Sequence, residues 1–422
     1  MKIKVVEKSY EEVINSKDHK PFVVKKPNIL FRTLLKVVSQ PDLWSTKFSY
    51  TTEGMEKLDK KEPCIILMNH SSFIDLEIAQ SIFYPRPLNI VTTTDGFVGK
   101  NWLMRQIGCI PTPKFVSDPG LVRSLAKVIK MKSSVLMYPE ASYSFDGTAT
   151  MFPKSVAKFV KFLKVPVVTC ITDGAFLRQP LYNELRKRKV KVTAHVKYLI
   201  SKEELQTMSE DEVYAKLVDA FSFDNFRNQQ VNKVKIDFKD RAVGLNKVLY
   251  KCPHCNSEEH MTSNGDEITC TKCGVTYKLD EYGYLKCMNN TGLFDHIPTW
   301  YKWQREEAKK ELLAGTYKLD EDVEICMMKD TYNVYKIGDG HLTHTNEGFH
   351  LVSDDGKLDF KLPAINSYST YSDYFWYELG DMVSIGDYKK QFYCFMKSKK
   401  DVVAKTRIAT EELFKILIED LK

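Results

Sequence analysis

In Asn69-His70-Ser71-Ser72-Phe73-Ile74-Asp75 an imidazole and a carboxylate stand five positions apart, directly after an apolar run. A carboxylate bonded to one imidazole nitrogen fixes the ring's tautomer and leaves the other nitrogen free to take a proton. Such a pair is a general base of the kind that activates a hydroxyl. A second set, Cys252-x2-Cys255 and Cys270-x2-Cys273, offers four thiolates in two tight turns with 14 residues between them. That spacing is close to a zinc ribbon's, and four sulfurs fill a tetrahedral sphere with no position left for water, so the metal would be structural. His254 and His260 are read as spectators.

These residues need elements to hold them. The run 63–68, ending Ile65-Ile66-Leu67-Met68, is apolar and β-branched, as a buried strand is. Ser71 and Ser72 suit a turn and helix cap, and residues 73–83 read as the following helix. On a regular helix, positions five apart face different ways. A turn feeding a helix instead lets His70 and Asp75 meet, with Asp75 near the positive end of the helix dipole. Taken alone, the same residues also describe a capping histidine and a solvated first-turn acid.

A chain of 422 residues is expected to hold two or three domains. Hydrophobic content of 43% and charged content of 28% are those of a folded globular protein, and a net charge of +7 fits anionic lipid, acidic carriers or nucleic acid alike. No apolar run approaches the roughly 20 residues of a membrane span, and the N-terminus lacks the apolar core of a signal peptide. Six of the ten cysteines are scattered outside the metal-like set, which points to a reducing, cytoplasmic setting.

Residues 1–245 alternate strand candidates (64–68, 88–92, 134–138, 165–171, 190–198) with helix candidates (102–107, 121–130, 154–163, 203–221), the pattern of an α/β domain. Residues 246–290 carry the cysteine knuckles. Residues 291–316 hold a charged linker helix, 300–313, and residues 317–422 a β-rich module. In that module short strands are expected at 323–329, 332–337, 341–344, 348–352, 357–361, 374–378, 383–386 and 391–396, closed by a helix over 406–421. By pattern the module looks like a pleckstrin-homology-type barrel. Its aromatics Tyr368, Tyr371, Tyr374, Phe375, Trp376 and Tyr377 are expected to lie half in the core. Its basic loop residues Lys389, Lys390, Lys397, Lys399 and Lys400 are read as a solvated loop.

Asn69-His70-x4-Asp75 resembles the first signature of the glycerolipid acyltransferase family, which includes 1-acylglycerol-3-phosphate acyltransferases. Three further blocks follow in order: Gly108-Cys109-Ile110-Pro111-Thr112-Pro113-Lys114, Tyr138-Pro139-Glu140-Ala141-Ser142-Tyr143-Ser144 and Val165-Pro166-Val167-Val168. The resemblance covers residues 28–225 and implies an α/β acyltransferase domain with a central mixed sheet flanked by helices. It implies His70 as general base oriented by Asp75, and acyl transfer from acyl-CoA or an acyl-carrier protein to a lysophospholipid hydroxyl in phospholipid biosynthesis. Asn69, Lys114, Glu140, Ser142 and Pro166 would bind substrate. The sequence departs from the family at the two positions tied to the acceptor phosphate. Lys114 and Tyr143 stand where the family commonly has arginine, and Arg105 and Arg123 flank the second block as candidate substitutes. Lysine lacks arginine's bidentate fork, and tyrosine is no cation.

Residues 27–38 set Leu, Phe and Val at helical spacing beside Lys25, Lys26, Arg32 and Lys36. That pattern suits a helix lying in an anionic interface at the inner face of a membrane, and equally a helix packed on a core. A non-catalytic lipid-binding scaffold and a zinc-ribbon nucleic-acid binder are the alternative functions. Glu258, Glu259, Asp266 and Glu267 in the ribbon argue against nucleic acid.

Overall fold

The structure, a computed structural model, describes residues 3–17, 22–116, 118–398 and 400–420; Lys399 and Leu421 lie outside the described residues. A short strand, β1 (Val5–Glu7), comes first and pairs with a much later strand. Helix α1 (Ile29–Ser45), capped by the Asn28 side chain on the Leu30 amide, then leads into the first sheet.

That sheet contains β2 (Ser49–Glu53), β3 (Ile65–Met68), β4 (Leu88–Thr93), β5 (Cys109–Thr112), β6 (Ser134–Met137), β7 (Val167–Asp173) and β8 (Thr193–Ile200). Its order is β2-β8-β7-β3-β6-β4-β5, and every pairing is parallel except β7 with β8. Alternate residues of β3 serve opposite faces. Ile66 and Met68 pack with Ile74 and Ile78 of helix α2 (Ile74–Phe83), whereas Ile65 and Leu67 pack with Leu125, Val128 and Val160. Both faces are thus covered, so the buried strands read as unbroken apolar runs, and each fully buried Leu or Ile contributes about 1.5–3 kcal/mol. Strands β2 and β5 had no such signal; all five side chains of β2 are exposed. The expected helix 203–221 is two, Lys202–Thr207 and Glu210–Ala220, because Ser209 and Glu212 form a capping box that starts the second.

The cysteine region forms a four-stranded antiparallel sheet of β9 (Met261–Asn264), β10 (Glu267–Cys270), β11 (Thr276–Leu279) and β12 (Leu285–Cys287). Helix α3 (Ile297–Leu313) follows. Its charged residues are half-buried or exposed, and Glu307 and Glu311 meet the buried Lys251. Trp300, Gln304, Ala308 and Leu312 are buried, and Gln304 bonds both Lys251 N–H and the Val248 carbonyl.

The last sheet comprises β13 (Leu319–Met328), β14 (Val334–Thr345), β15 (Gly348–Ser353), β16 (Asp359–Pro363), β17 (Tyr371–Trp376), β18 (Gly380–Gly386) and β19 (Gln391–Met396). Its order is β16-β15-β14-β13-β19-β18-β17, with β1 on β14. The two strands expected at 332–337 and 341–344 are one: β14 continues through Gly338, whose φ of 129° absorbs a register shift opposite Ile325 and Cys326. Tyr371, Tyr374 and Trp376 are buried while Phe375 is exposed, the expected division of the aromatics. Helix α4 (Val403–Asp420) packs against α3.

The three regions share one apolar core, running from Phe145 and Phe176 through Cys252, Tyr277 and Trp300 to Leu351, Phe392 and Val403. Arg305 of α3 bonds Glu411 and Glu412 of α4, and Arg407 of α4 reaches Ser142 and the Tyr143 carbonyl. The cysteine region is in this way tied to the loop beside His70.

Candidate active site

Strand β3 ends at Met68, and the chain turns before α2 begins at Ile74. Asn69 locks the exit: its Oδ1 accepts the Thr172 amide and hydroxyl, and its Nδ2 donates to the Thr172 carbonyl and the Ser71 hydroxyl. Asp75, 1% exposed, gathers the turn. Its Oδ2 accepts the backbone amides of Ser71 (2.7 Å) and Ser72 (3.0 Å) and the Nδ1 of His70 (3.1 Å). A carboxylate partner requires the proton on Nδ1, so Nε2 carries the free lone pair, and it has no hydrogen-bond partner among the described residues. The His70 side chain stays 22% exposed. The capping-histidine reading, and the expectation of a serine cap, do not hold: Phe73 stands at the helix cap without a side-chain bond, and Asp75 is buried on the turn's amides rather than solvated.

Two tyrosines frame the imidazole. Tyr138 stacks on it at 4.1 Å between centroids, and Tyr143 lies tilted at 4.3 Å. Burial lowers the His70 pKa below 6.5 against the upward pull of Asp75's hydrogen bond and charge, and Lys114 lowers it further. The ring is therefore neutral at pH 7. Glu140 is fully buried beneath the turn. Its Oε2 accepts the His70 amide (3.0 Å), its Oε1 accepts the Thr150 amide (2.7 Å), and burial raises its pKa to about 7. Ala141 follows with φ of 55°, a left-handed backbone that glycine adopts without strain.

The expected substrate residues divide into two groups. Lys114 acts on His70 through its charge; burial pushes its pKa down to about 8 against Asp95 and Asp373, and its Nζ lies 3.5 Å from the Tyr371 ring centroid. Asn69, Glu140 and Ser142 are buried; the first two bond backbone groups, and Ser142 accepts from Arg407 at 2.7 Å. Pro166 lies at the far end of the sheet. Its carbonyl accepts the Ile65 amide, five residues before His70, roughly 16 Å along an extended strand. Arg105 bonds Asn101 and covers the Phe22 ring, so it is engaged elsewhere. Sequence reasoning missed Asp95, Tyr371, Asp373, Trp376 and Arg407, which approach the site from other elements. Trp376 Nε1 donates to Asp95 Oδ2 at 3.2 Å across 281 positions, a pairing that no local spacing announces. A 490 Å³ cavity between loop 145–151 and helices α3 and α4 includes Thr150 and Arg407 but neither His70 nor Lys114.

In the cysteine region Sγ of Cys252 lies 3.6 Å from that of Cys273, and Sγ of Cys255 lies 3.7 Å from that of Cys270. All four sulfurs fall within 4.8 Å of one another. A zinc–sulfur distance of about 2.3 Å implies tetrahedral sulfur–sulfur edges of about 3.8 Å, so the donor set fits zinc. The amides of Asn256 and Gly274 close the two knuckles on the Cys252 and Cys270 carbonyls.

Residues 49–173 match the family model described as Acyltransferase. The chloroplastic 1-acyl-sn-glycerol-3-phosphate acyltransferase of Brassica napus is 27% identical over 160 residues, which cover 36% of this chain and 46% of that protein. The chain thus spans just under half the length of that curated relative. A crystal structure of PlsC, the 1-acyl-sn-glycerophosphate acyltransferase of Thermotoga maritima, is similar at 17% identity with a TM-score of 0.35, covering 45% of this chain and 78% of that one.

The His70 environment sets the direction of a titration. Its folded pKa lies below its unfolded value, so the unfolded chain binds the extra proton first, and the group's contribution to stability is lost as pH falls from 6.5 through the folded pKa. By NMR, the His70 imidazole should titrate with a midpoint below 6.5, and Asp75→Asn should move it lower still by removing the carboxylate's pull. A midpoint above 6.5, or an upward shift in the variant, would show that the ring is not buried beside Asp75 as described.

Proposed function

We propose that this chain, whose residues 49–173 match the Acyltransferase family model, is an O-acyltransferase that moves an acyl group from an acyl-thioester, acyl-CoA or acyl-carrier protein, to a lysophospholipid hydroxyl. The observation that carries this reading is the His70–Asp75 pair with Nε2 unpartnered inside the matched region. As the acceptor hydroxyl attacks the thioester carbonyl, His70 Nε2 takes its proton and Asp75 stabilises the imidazolium that forms. The tetrahedral intermediate collapses, the carbon–sulfur bond breaks, and the imidazolium returns the proton to the departing thiolate. One ester forms and one thioester is consumed. The test is acceptor-dependent thiol release from acyl-CoA. His70→Ala should lower kcat by at least about 10³-fold; a variant retaining most of the wild-type rate would refute the role given to His70.

The cysteine cluster is read as a structural zinc site held by Cys252, Cys255, Cys270 and Cys273, supported by the sulfur spacing. Bound zinc would cross-link the two knuckles and take no part in the reaction. Metal analysis of purified protein should give about one zinc per chain, and Cys252→Ser should lose it. Protein with an intact fold and no metal would end that reading.

Peripheral attachment to an anionic membrane completes the proposal. No helix among the described residues is long and apolar enough to cross a membrane. Ile29, Leu30, Leu34, Val37, Val38 and Trp44 of α1 are each more than half exposed, whereas its buried positions are Arg32, Ser39 and Leu43. A core-packed helix would bury the opposite set. Trp102, 65% exposed, meets Phe31 of α1 edge-on at 5.4 Å and extends the apolar surface. Seven antiparallel strands and a closing helix support the pleckstrin-homology-type reading of the C-terminal module as a statement about fold. Co-flotation with anionic vesicles should fall about tenfold or more in Leu34→Glu/Val38→Glu; equal flotation of wild type and variant would remove α1 as the contact.

A further inference from the structure

Asp95, in the short turn Thr94–Phe97 after β4, is 2% exposed. One of its carboxylate oxygens accepts the Trp376 indole N–H, the Tyr377 hydroxyl lies against the same carboxylate, and Oδ1 is buried without a hydrogen bond of ordinary geometry. Asp373, 9% exposed on β17, accepts the Tyr371 hydroxyl at 3.2 Å. Both acids act electrostatically on Lys114 and on Tyr143, the ring beside His70. Lys114 makes no ion pair among the described residues and rests its ammonium on the Tyr371 ring. The rings at the base are therefore under the charge of two buried acids and one cation, with a neutral tyrosine where the resembling family has arginine.

A buried carboxylate oxygen without a donor is a costly arrangement, and a ligand N–H would relieve it. A phosphate monoester would bring two negative charges beside two buried acids, which like-charge repulsion opposes. An ammonium group would supply both the missing donor and the missing charge, and Lys114 remains to face a phosphodiester. We propose that the C-terminal sheet completes an acceptor-headgroup site that takes a protonated primary amine, with Asp95 Oδ1 as its acceptor and Asp373 beside it, and that disfavours a phosphate monoester. This deepens the acyl-transfer reading and rests on it for the identity of the ligand as acceptor. Burial raises the Asp373 pKa to about 7, so an arriving cation would also favour its ionised form.

The test compares lysophosphatidylethanolamine, lysophosphatidylglycerol and lysophosphatidate with the same acyl chain; the first two are both phosphodiesters, and only the first carries an amine. The wild type should show kcat/KM for the amine acceptor about tenfold or more above either other. Asp95→Asn, which keeps an oxygen for Trp376, should raise KM for the amine acceptor about tenfold while kcat changes far less, erasing the preference. Equal use of the ethanolamine and glycerol headgroups, preference for lysophosphatidate, or an equal loss on all three acceptors in the variant would overturn the proposal. Calorimetric binding of the three lysolipids to the His70→Ala protein reads the same preference without turnover. Absence of acyl transfer would thus refute the parent reading, while the binding order alone decides the headgroup. Displacement of bound lysolipid by free ethanolamine at matched concentration would assign the pocket to a small amine and overturn its role in acceptor recognition.

Discussion

One carboxylate oxygen organises the centre of this protein. Asp75 Oδ2 accepts two backbone amides and one imidazole N–H in a buried pocket at the end of β3. The amide bonds hold the chain in the turn that follows the strand, and the imidazole bond sets the tautomer of His70. Neither role is separable from the other, because the turn that brings Ser71 and Ser72 onto the carboxylate is the same turn that returns His70 to it. Asn69 and Glu140 clamp this turn from both sides, one to the end of β7 and one to loop 140–150. The residues of the first and third blocks therefore lie at different depths: the His70 side chain is partly exposed, while Asn69 and Glu140 are buried and bond the backbone around it.

The regions outside the family match are structurally continuous with the site. Arg407 joins α4 to Ser142 and Tyr143, Arg305 joins α3 to α4, and Gln304 joins α3 to the backbone just before the first cysteine knuckle. A metal that rigidifies the knuckles would in this way stiffen the support of the loop beside His70. From β17 of the same module, Trp376 bonds Asp95 and the Tyr371 ring lies under the Lys114 ammonium. The C-terminal module thus touches the segments that carry Asp95 and Lys114.

Much of this was legible in the chain itself. The apolar runs at 64–68 and 134–138 carry the pattern of strands covered on both faces, and the histidine–aspartate spacing follows directly from strand, turn and helix. The cysteine spacing likewise announces a closed tetrahedral site. What was not legible has physical reasons. Strand β2 buries none of its side chains and so shows no alternation, and Ser209 restarts a helix inside a continuous helical pattern. Helix α1 reads as amphipathic from sequence, but only the structure places its apolar face outward. Asp95 and Trp376 meet across 281 positions, and a lone aspartate in a polar turn carries no local mark of burial.

The central claim is that His70 Nε2 is the base and that Asp75 sets its readiness. The pH dependence of kcat/KM for acceptor-dependent thiol release, measured for wild type and Asp75→Asn, tests it most directly. The account predicts an acid limb below pH 6.5 in the wild type that moves to lower pH in the variant, with a reduced plateau because the tautomer is no longer held. A limb that stays in place when Asp75 is neutralised, or a plateau left at the wild-type level, would contradict it.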